Sequence, residues 1–280
     1  MRLPKLLETL TRTPLLMTPG SVESILTLFQ QHAMMSAADY RAAREGKDFC
    51  GDNVELEQMT IEGRFAIIPV KGPLGIGLDK FEKGAGATDY ADIMADISKA
   101  NELAKENSKL QNILFLGDTP GGMWGGLVEC ADAISESELP TWWYCPPGGI
   151  TASAGMFLAA SCNGRFLAPS AQAGSIGVYC AYTDMSEMAK QRGLKVKVFS
   201  SGTYKGMGVP GTTLTPDQED FLQNSVMELA DEFYNHIRAN LGEVPDDAMQ
   251  GQMFRAPEAK AIGFCDEIVK SLDEMKTFLR

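Results

Sequence analysis

Apolar residues recur along the chain in two spacings, and each predicts a different kind of element. Short, nearly continuous apolar runs are typical of strands buried in a parallel sheet. They read RFAIIPVKGPLG, NILFLGD, TWWYC, RFLAP and KVKVFSS. Between them, apolar residues lie three or four positions apart, as on one face of a helix. This alternation predicts an α/β fold with a layered, mostly parallel sheet and flanking helices.

Helix boundaries are marked by capping residues. Thr88 is predicted to cap a helix that continues through Ile97. Thr215 starts a second helix, with Pro216 at its first position and Gln218 three residues after the cap. One face of this helix is predicted to carry Phe221, Leu222, Val226, Leu229, Phe233 and Ile237. Near the end of the chain, APEAKAIGFCDEIV predicts a helix, a glycine stop and a strand.

The first part of the chain has a different pattern. Ile25, Leu26, Phe29 and Met34 recur at helical spacing, and the polar loop EGKDFCGDN follows. We therefore expect a helical N-terminal arm over residues 1–55 and a main domain over residues 56–280.

Charge and hydropathy exclude several classes of partner. The net charge is −12, so neither nucleic acid nor an anionic membrane surface is an expected partner. No apolar run reaches the roughly 20 residues of a membrane span. The start of the chain is interrupted by Glu8, Thr9 and Arg12 and does not read as a secretory signal. We expect a cytoplasmic protein.

Cysteines and histidines are too scattered to form a metal centre. The six cysteines occur singly, with no C-x-x-C pair, which is typical of reduced core thiols. His32 and His236 are the only histidines. No metal or organic cofactor is expected, and a Ser-His-Asp triad could draw only on these two histidines.

Two junctions between a strand and a helix are candidates for chemistry. In LGDTPGGMWGG, consecutive glycines after a buried strand can turn backbone N–H groups towards an oxyanion, although a plain glycine turn gives the same letters. In GGITASAGMFLAAS, Ser153 lies where a loop becomes a helix, between Ala152 and Ala154. The pattern fits either a small packing residue or a nucleophile whose developing charge the helix dipole favours.

A nucleophilic serine needs a base, and lysine serves when burial lowers its pKa. Lys205 follows KVKVF in the uncharged, glycine-rich loop SSGTYKGMGVP, which is a plausible setting for a desolvated amine. Lys71, in IPVKGPLG, competes on the same logic but has fewer polar neighbours. From spacing alone, both lysines also fit solvated surface positions.

Four ordered motifs resemble the signal peptide peptidase A family of serine peptidases, in the Clp protease/crotonase fold group. GDTPGG is similar to the family's strand-PGG segment. TASAGMFLAASCNGRFLAPSAQAGSIGV is similar to its nucleophile helix and GSIGV signature. FSSGTYKGMGVP resembles its lysine loop, and MFRAPEAKAIGFCDEIV resembles its closing element. The chain departs from the family at Ala154, where glycine is usual, and at the Asp-Thr of GDTPGG.

The resemblance implies a serine endopeptidase with a Ser-Lys dyad. Ser153 would be the nucleophile and Lys205 the general base, and the amides of Gly121, Gly122 and Ala154 would form the oxyanion hole. It also implies a homo-oligomeric ring. The opening TRTPLLMTPGSVESILTLFQQHA resembles phage prohead proteases. This implies a capsid protein, a scaffold protein or the chain itself as substrate, within a procapsid assembling in the host cytoplasm.

Two other functions remain open on the sequence. A crotonase-type acyl-CoA enzyme shares the PGG oxyanion device but needs no pairing of Ser153 with Lys205. A catalytically silent, protease-like protein could instead scaffold capsid assembly through its acidic surface.

Overall fold

A computed structural model describes residues 15–17 and 58–279 of the chain. Within them the strands are, in chain order, β1 (Leu15–Met17), β2 (Thr60–Glu62), β3 (Phe65–Lys71), β4 (Leu74–Gly75), β5 (Thr88–Asp89), β6 (Asn112–Asp118), β7 (Gly121–Met123), β8 (Thr141–Cys145), β9 (Ile150–Ala152), β10 (Gly164–Leu167), β11 (Gln172–Gly174), β12 (Met253–Arg255) and β13 (Glu267–Ile268). The helices are α1 (Lys80–Gly84), α2 (Tyr90–Glu106), α3 (Leu127–Ser135), α4 (Ala154–Ala160), α5 (Ser186–Gln191), α6 (Pro216–Leu241), α7 (Ala256–Ala261) and α8 (Leu272–Phe278).

The central sheet has the order β13-β10-β8-β6-β3-β2. Every pairing in it is parallel except that of β2 with β3. The first four residues of both β3 and β6 are buried, and all of them except Asn112 are apolar, as expected for strands covered on both faces. The predicted α/β fold with a mostly parallel sheet and flanking helices is confirmed.

Two smaller sheets continue the central one. Strands β4, β7, β9 and β11 each follow directly on the central strands β3, β6, β8 and β10. They pair in the orders β1-β7-β4-β5 and β12-β11-β9. The chain therefore builds a second layer beyond the carboxyl ends of the central strands, which is where ligands usually bind in open α/β sheets.

Helix α4 lies in the middle of the hydrophobic core. All seven of its residues are buried. It packs between α3 and α6 and contacts β7, β9 and β10. A helix that is apolar on every face is stable only where neighbours cover it all round, and this explains the run AGMFLAA.

One predicted helix cap is confirmed and another is shifted by one residue. Thr215 caps α6 with a full capping box, as predicted. The cap of α2 is Asp89 instead of Thr88, because the Asp89 side chain accepts a hydrogen bond from the Ala91 N–H. The Thr88 hydroxyl donates instead to the Lys71 carbonyl oxygen, at 2.7 Å, and ties β5 to the end of β3.

The predicted strand KVKVFSS is wrong. Residues 194–201 form no strand and are exposed throughout. Their alternating apolar residues have no neighbouring strand to pair with among residues 58–279. The predicted apolar face of α6 is also only partly buried. Phe233 and Ile237 are buried, whereas Phe221 is exposed. No helix in the described part of the chain is long and apolar enough to cross a membrane.

The predicted helical arm falls outside the described residues, as does its boundary at residue 55. Only Leu15–Met17 of it is described, and this segment is a strand, β1, that pairs antiparallel with β7.

Gly117 makes a close approach in the centre of the sheet. A Cβ atom at this position would lie 2.1 Å from the indole ring of Trp143 on the adjacent strand. Gly117→Ala is expected to lower the free energy of unfolding by about 1–3 kcal/mol, because the buried ring has no room to move. Chemical denaturation measures this change. Gly84→Ala is the matched control, since nothing lies within 4 Å of its added Cβ. Equal stability of the two variants would contradict the packing described for β6.

Candidate active site

Ser153 has a backbone conformation that residues with a side chain rarely adopt. It lies between β9 and α4, with φ 55° and ψ −116°. It is 1% exposed. A non-glycine residue held at positive φ costs about 1–3 kcal/mol and persists only where the surrounding structure enforces it.

Backbone hydrogen bonds on both sides enforce this conformation. The Ser153 N–H donates to the carbonyl oxygen of Gly174 at 2.9 Å, and the Ala152 N–H donates to that of Thr119 at 3.0 Å. The Ser153 carbonyl oxygen accepts from the Phe157 N–H at 3.0 Å, which begins the hydrogen bonding of α4. Ser153 is thereby fixed between the second layer and the core helix.

The GSIGV segment has a direct role in this arrangement. Its first glycine, Gly174, supplies the carbonyl oxygen that holds the Ser153 amide. Gly174 has φ 138°, and an added Cβ would lie 2.4 Å from the Gln252 carbonyl oxygen. The next residue, Ser175, donates its N–H to that same oxygen and also has positive φ. Only glycine fits the first position, so the segment positions Ser153.

Asp118 and Thr119, noted in the sequence only as a departure from the family, are structural parts of the site. The Asp118 carboxylate accepts a hydrogen bond from the Ile150 N–H at 2.9 Å and so holds the loop before β9. The Thr119 hydroxyl donates to the Gly72 carbonyl oxygen at 2.7 Å. Both residues belong to the motif GDTPGG, and their polar side chains after a buried strand were the available signal.

The predicted oxyanion donors lie beside this arrangement. Gly121 and Gly122 form β7, and Ala154 is the first residue of α4, where backbone N–H groups have no intrahelical partner. The Gly121 N–H is already engaged, since it donates to the Thr119 hydroxyl oxygen at 3.1 Å. An added Cβ on Gly122 would lie 2.0 Å from the Leu74 carbonyl oxygen, so glycine is needed for β7 to approach β4.

The structure does not bring Lys205 to Ser153. Lys205 lies in the turn region after residue 200, and its side chain is exposed in the single chain. No hydrogen bond joins Ser153 Oγ to Lys205 Nζ in the described part of the chain. The competing Lys71 is half-buried at the end of β3, in register with Asp118 on β6.

Other nucleophiles and bases in the described residues are poorly suited to the chemistry. Cys130, Cys145, Cys162 and Cys265 are free and buried, as predicted for core thiols. Burial raises the pKa of Cys145 to about 12, so its thiol stays protonated and inert. His236 stacks on Phe157 with ring centroids 3.6 Å apart. Its Nε2 lies 3.0 Å from the Phe157 carbonyl oxygen and therefore carries the proton.

A buried serine, held under strain where a core helix begins beside a glycine-rich strand, defines a candidate site for nucleophilic acyl transfer. The sequence profile of peptidase family S49 matches residues 135–278, which is just over half of the chain and includes Ser153 and Lys205. The chain belongs to peptidase family S49.

Two curated phage proteins are similar over 213 residues, or 74% of this chain. Capsid assembly protease C of Escherichia phage lambda is 29% identical, with 47% of its length covered. Head-tail preconnector protein GP5 of Enterobacteria phage P21 is 26% identical, with 41% of its length covered. The chain thus spans about half the length of these relatives.

A solved structure of a ClpP1 mutant from Listeria monocytogenes is also similar, at 12% identity and a TM-score of 0.49. The match covers 75% of this chain and 94% of that one. At this level the likeness concerns the course of the backbone alone.

Strain at Ser153 predicts an unusual order of stabilities. Ser153→Gly is expected to have a free energy of unfolding about 1 kcal/mol above that of Ser153→Ala, because glycine adopts positive φ without steric cost. The gain is reduced by glycine's greater freedom in the unfolded chain. Chemical denaturation of both variants measures the difference. The same pair of substitutions at Ser225, inside α6, is the control and should give the opposite order. Equal stabilities at position 153 would show that the serine is not strained.

His236 predicts a pH dependence of stability. Burial lowers the pKa of His236 below its ordinary value of 6.5, so the unfolded chain binds the proton more tightly than the folded one. This contribution to stability is fully present above pH 6.5 and decreases as the pH falls towards the folded-state pKa. His236→Gln keeps an N–H donor without titrating. Thermal unfolding at about pH 7 and pH 5 should show a smaller acid-induced loss in this variant than in the parent chain. An identical acid-induced loss of stability in the two proteins would show that His236 does not cause this pH dependence.

Proposed function

We propose that the protein is a serine endopeptidase of phage head assembly, with Ser153 as nucleophile and Lys205 as general base. One observation carries the proposal: Ser153 is buried, strained and fixed by hydrogen bonds at the start of α4, within the region matched by a peptidase family. A packing residue would gain nothing from this conformation, whereas a nucleophile gains a fixed direction of attack.

The chemistry follows from the assigned roles. Ser153 Oγ attacks the peptide carbonyl carbon while its proton passes to Lys205 Nζ. The tetrahedral oxyanion is held by backbone N–H groups of Gly122 and Ala154, and also by that of Gly121 if its bond to Thr119 is released. Lys205 then protonates the departing amine, leaving an acyl-enzyme. Water attacks this ester as Lys205 takes the water's proton. Lys205 then returns this proton to Ser153 Oγ as the ester C–O bond breaks, which releases the carboxylic acid product and regenerates Ser153 and the neutral Lys205.

Lys205 has to be desolvated and brought to a Ser153 Oγ before it can act as a base. Its surroundings support burial by another copy of the chain. Phe199 is 91% exposed, and the Tyr204 and Phe221 rings stack with centroids 4.7 Å apart on the surface. Exposed apolar residues cluster in this part of the sequence: Leu194, Val196, Val198, Phe199, Tyr204 and Phe221. Such a surface is typical of a protein interface, so we propose that the active form is a homo-oligomer.

The substrate assignment draws on the phage relatives. Lambda protein C is named a capsid assembly protease, and the similarity covers 74% of this chain. A capsid or scaffold protein is therefore the proposed substrate, and the assembling procapsid in the host cytoplasm is the proposed place of action. No metal or organic cofactor enters the proposed reaction.

Ser153→Ala and Lys205→Ala are each expected to abolish cleavage of a co-expressed capsid or scaffold protein, by at least a thousandfold. Mass spectrometry of new protein termini measures this loss. Lys71→Ala is the matched control and should retain cleavage if Lys205 is the base. Unchanged circular dichroism spectra would show that the variants remain folded.

Three outcomes would change the assignment. Cleavage that survives Ser153→Ala excludes the proposed nucleophile. Loss with Lys71→Ala but not with Lys205→Ala transfers the base to Lys71. Activity recovered by mixing Ser153→Ala with Lys205→Ala chains would show that the two residues act across copies, as exposure of Lys205 in the single chain allows.

A further inference from the structure

The outer edge of β7 is covered by a segment of the N-terminal part of the chain. Strand β1 pairs antiparallel with β7, so that Leu15 lies opposite Met123, Leu16 opposite Gly122 and Met17 opposite Gly121. Two of the three positions on β7 are therefore the glycines assigned to the oxyanion hole. The backbone of β1 runs along the candidate active site.

Strand β7 is tied closely to Ser153. Thr119, two residues before β7, forms a parallel bridge with Thr151, two residues before Ser153. At the other end of β7, the Trp124 and Phe157 rings meet edge to face with centroids 5.9 Å apart. An extended segment paired with β7 is therefore joined, through β7, to the elements that hold Ser153.

Without β1, β7 would be the edge strand of its sheet, because its other side pairs with β4. The backbone N–H and C=O groups of an edge strand pair readily with an added extended peptide. Gly121 and Gly122 carry no side chains that would obstruct such a peptide. The edge thus has the properties of a docking site for an extended polypeptide.

We propose that Leu15–Met17 occupies, as an internal competitor, the edge on which protein substrates dock, so that it must leave before they bind. This inference rests on the proposed peptidase function. It identifies the preferred partner as an extended segment with consecutive apolar residues, such as the Leu-Leu-Met of β1 itself. The occupied edge then keeps the isolated chain in a low-activity state until β1 is released.

Sequence and tethering make the competition effective yet reversible. The described pairing spans three residues, and Pro14 and Pro19, which flank them in the sequence, carry no backbone N–H. A pairing this short exchanges readily. Because β1 belongs to the same chain, its effective concentration at the edge is on the order of millimolar, which is enough to exclude a micromolar free peptide.

The test measures binding without requiring catalysis. A dye-labelled peptide with the sequence of residues 13–20, TPLLMTPG, is titrated against full-length Ser153→Ala protein by fluorescence anisotropy. Adding Leu16→Pro removes a backbone N–H opposite Gly122 and should release β1. Peptide affinity is expected to rise at least tenfold. Leu16→Val is the matched control, because it keeps the N–H and should leave affinity unchanged.

A second variant, in which Leu15, Leu16 and Met17 are all replaced by glycine, tests release without an added proline and should show the same rise. Equal affinity in all four proteins, or no binding to either released variant, would overturn the proposal. A tenfold rise in these variants, together with no peptidase activity in the parent chain that retains Ser153, would leave the docking edge standing while the proposed function fails. Unchanged peptide affinity in a protein that proves to be an active peptidase would refute the docking edge and leave the proposed function standing.

Discussion

The backbone hydrogen bonds from Ala152 to Thr119 and from Ser153 to Gly174 are the constraint on which the site depends. Together they hold a serine at positive φ at the point where the chain passes from β9 into the buried helix α4. Each acceptor comes from a different part of the second layer. The conformation of Ser153 therefore depends on the correct register of the strands on both sides of it.

The second layer exists because four central strands continue past the edge of the parallel sheet. Thr119 follows β6 and Gly174 ends β11, so residues far apart in sequence meet at Ser153. The same continuation places β7, with Gly121 and Gly122, next to the elements that hold Ser153. At one edge of this layer, β1 pairs with β7.

Much of the secondary structure could be predicted from the local sequence pattern. The buried run of β6 and the capping box at Thr215 are encoded within a few residues, and both predictions are confirmed. The bond from Ser153 to Gly174 could not be predicted, because it depends on which strands become neighbours. The strand predicted for KVKVF is wrong for a related reason. Its alternation of apolar and polar residues indicates a strand, but no partner strand is found for it in the described residues. Lys205 follows that segment, so its position relative to Ser153 could not be predicted from local pattern either.

The proposed mechanism requires the hydroxyl of Ser153 to be a reactive nucleophile and not a packing group. The most direct measurement is peptide mapping by tandem mass spectrometry after full-length protein reacts with a peptidyl phosphonate ester, which labels activated serines. We predict a single stoichiometric adduct on Ser153, absent from protein unfolded before labelling. An adduct on another residue, such as Ser161, or an unmodified Ser153 in protein that still cleaves its substrate, would contradict the mechanism.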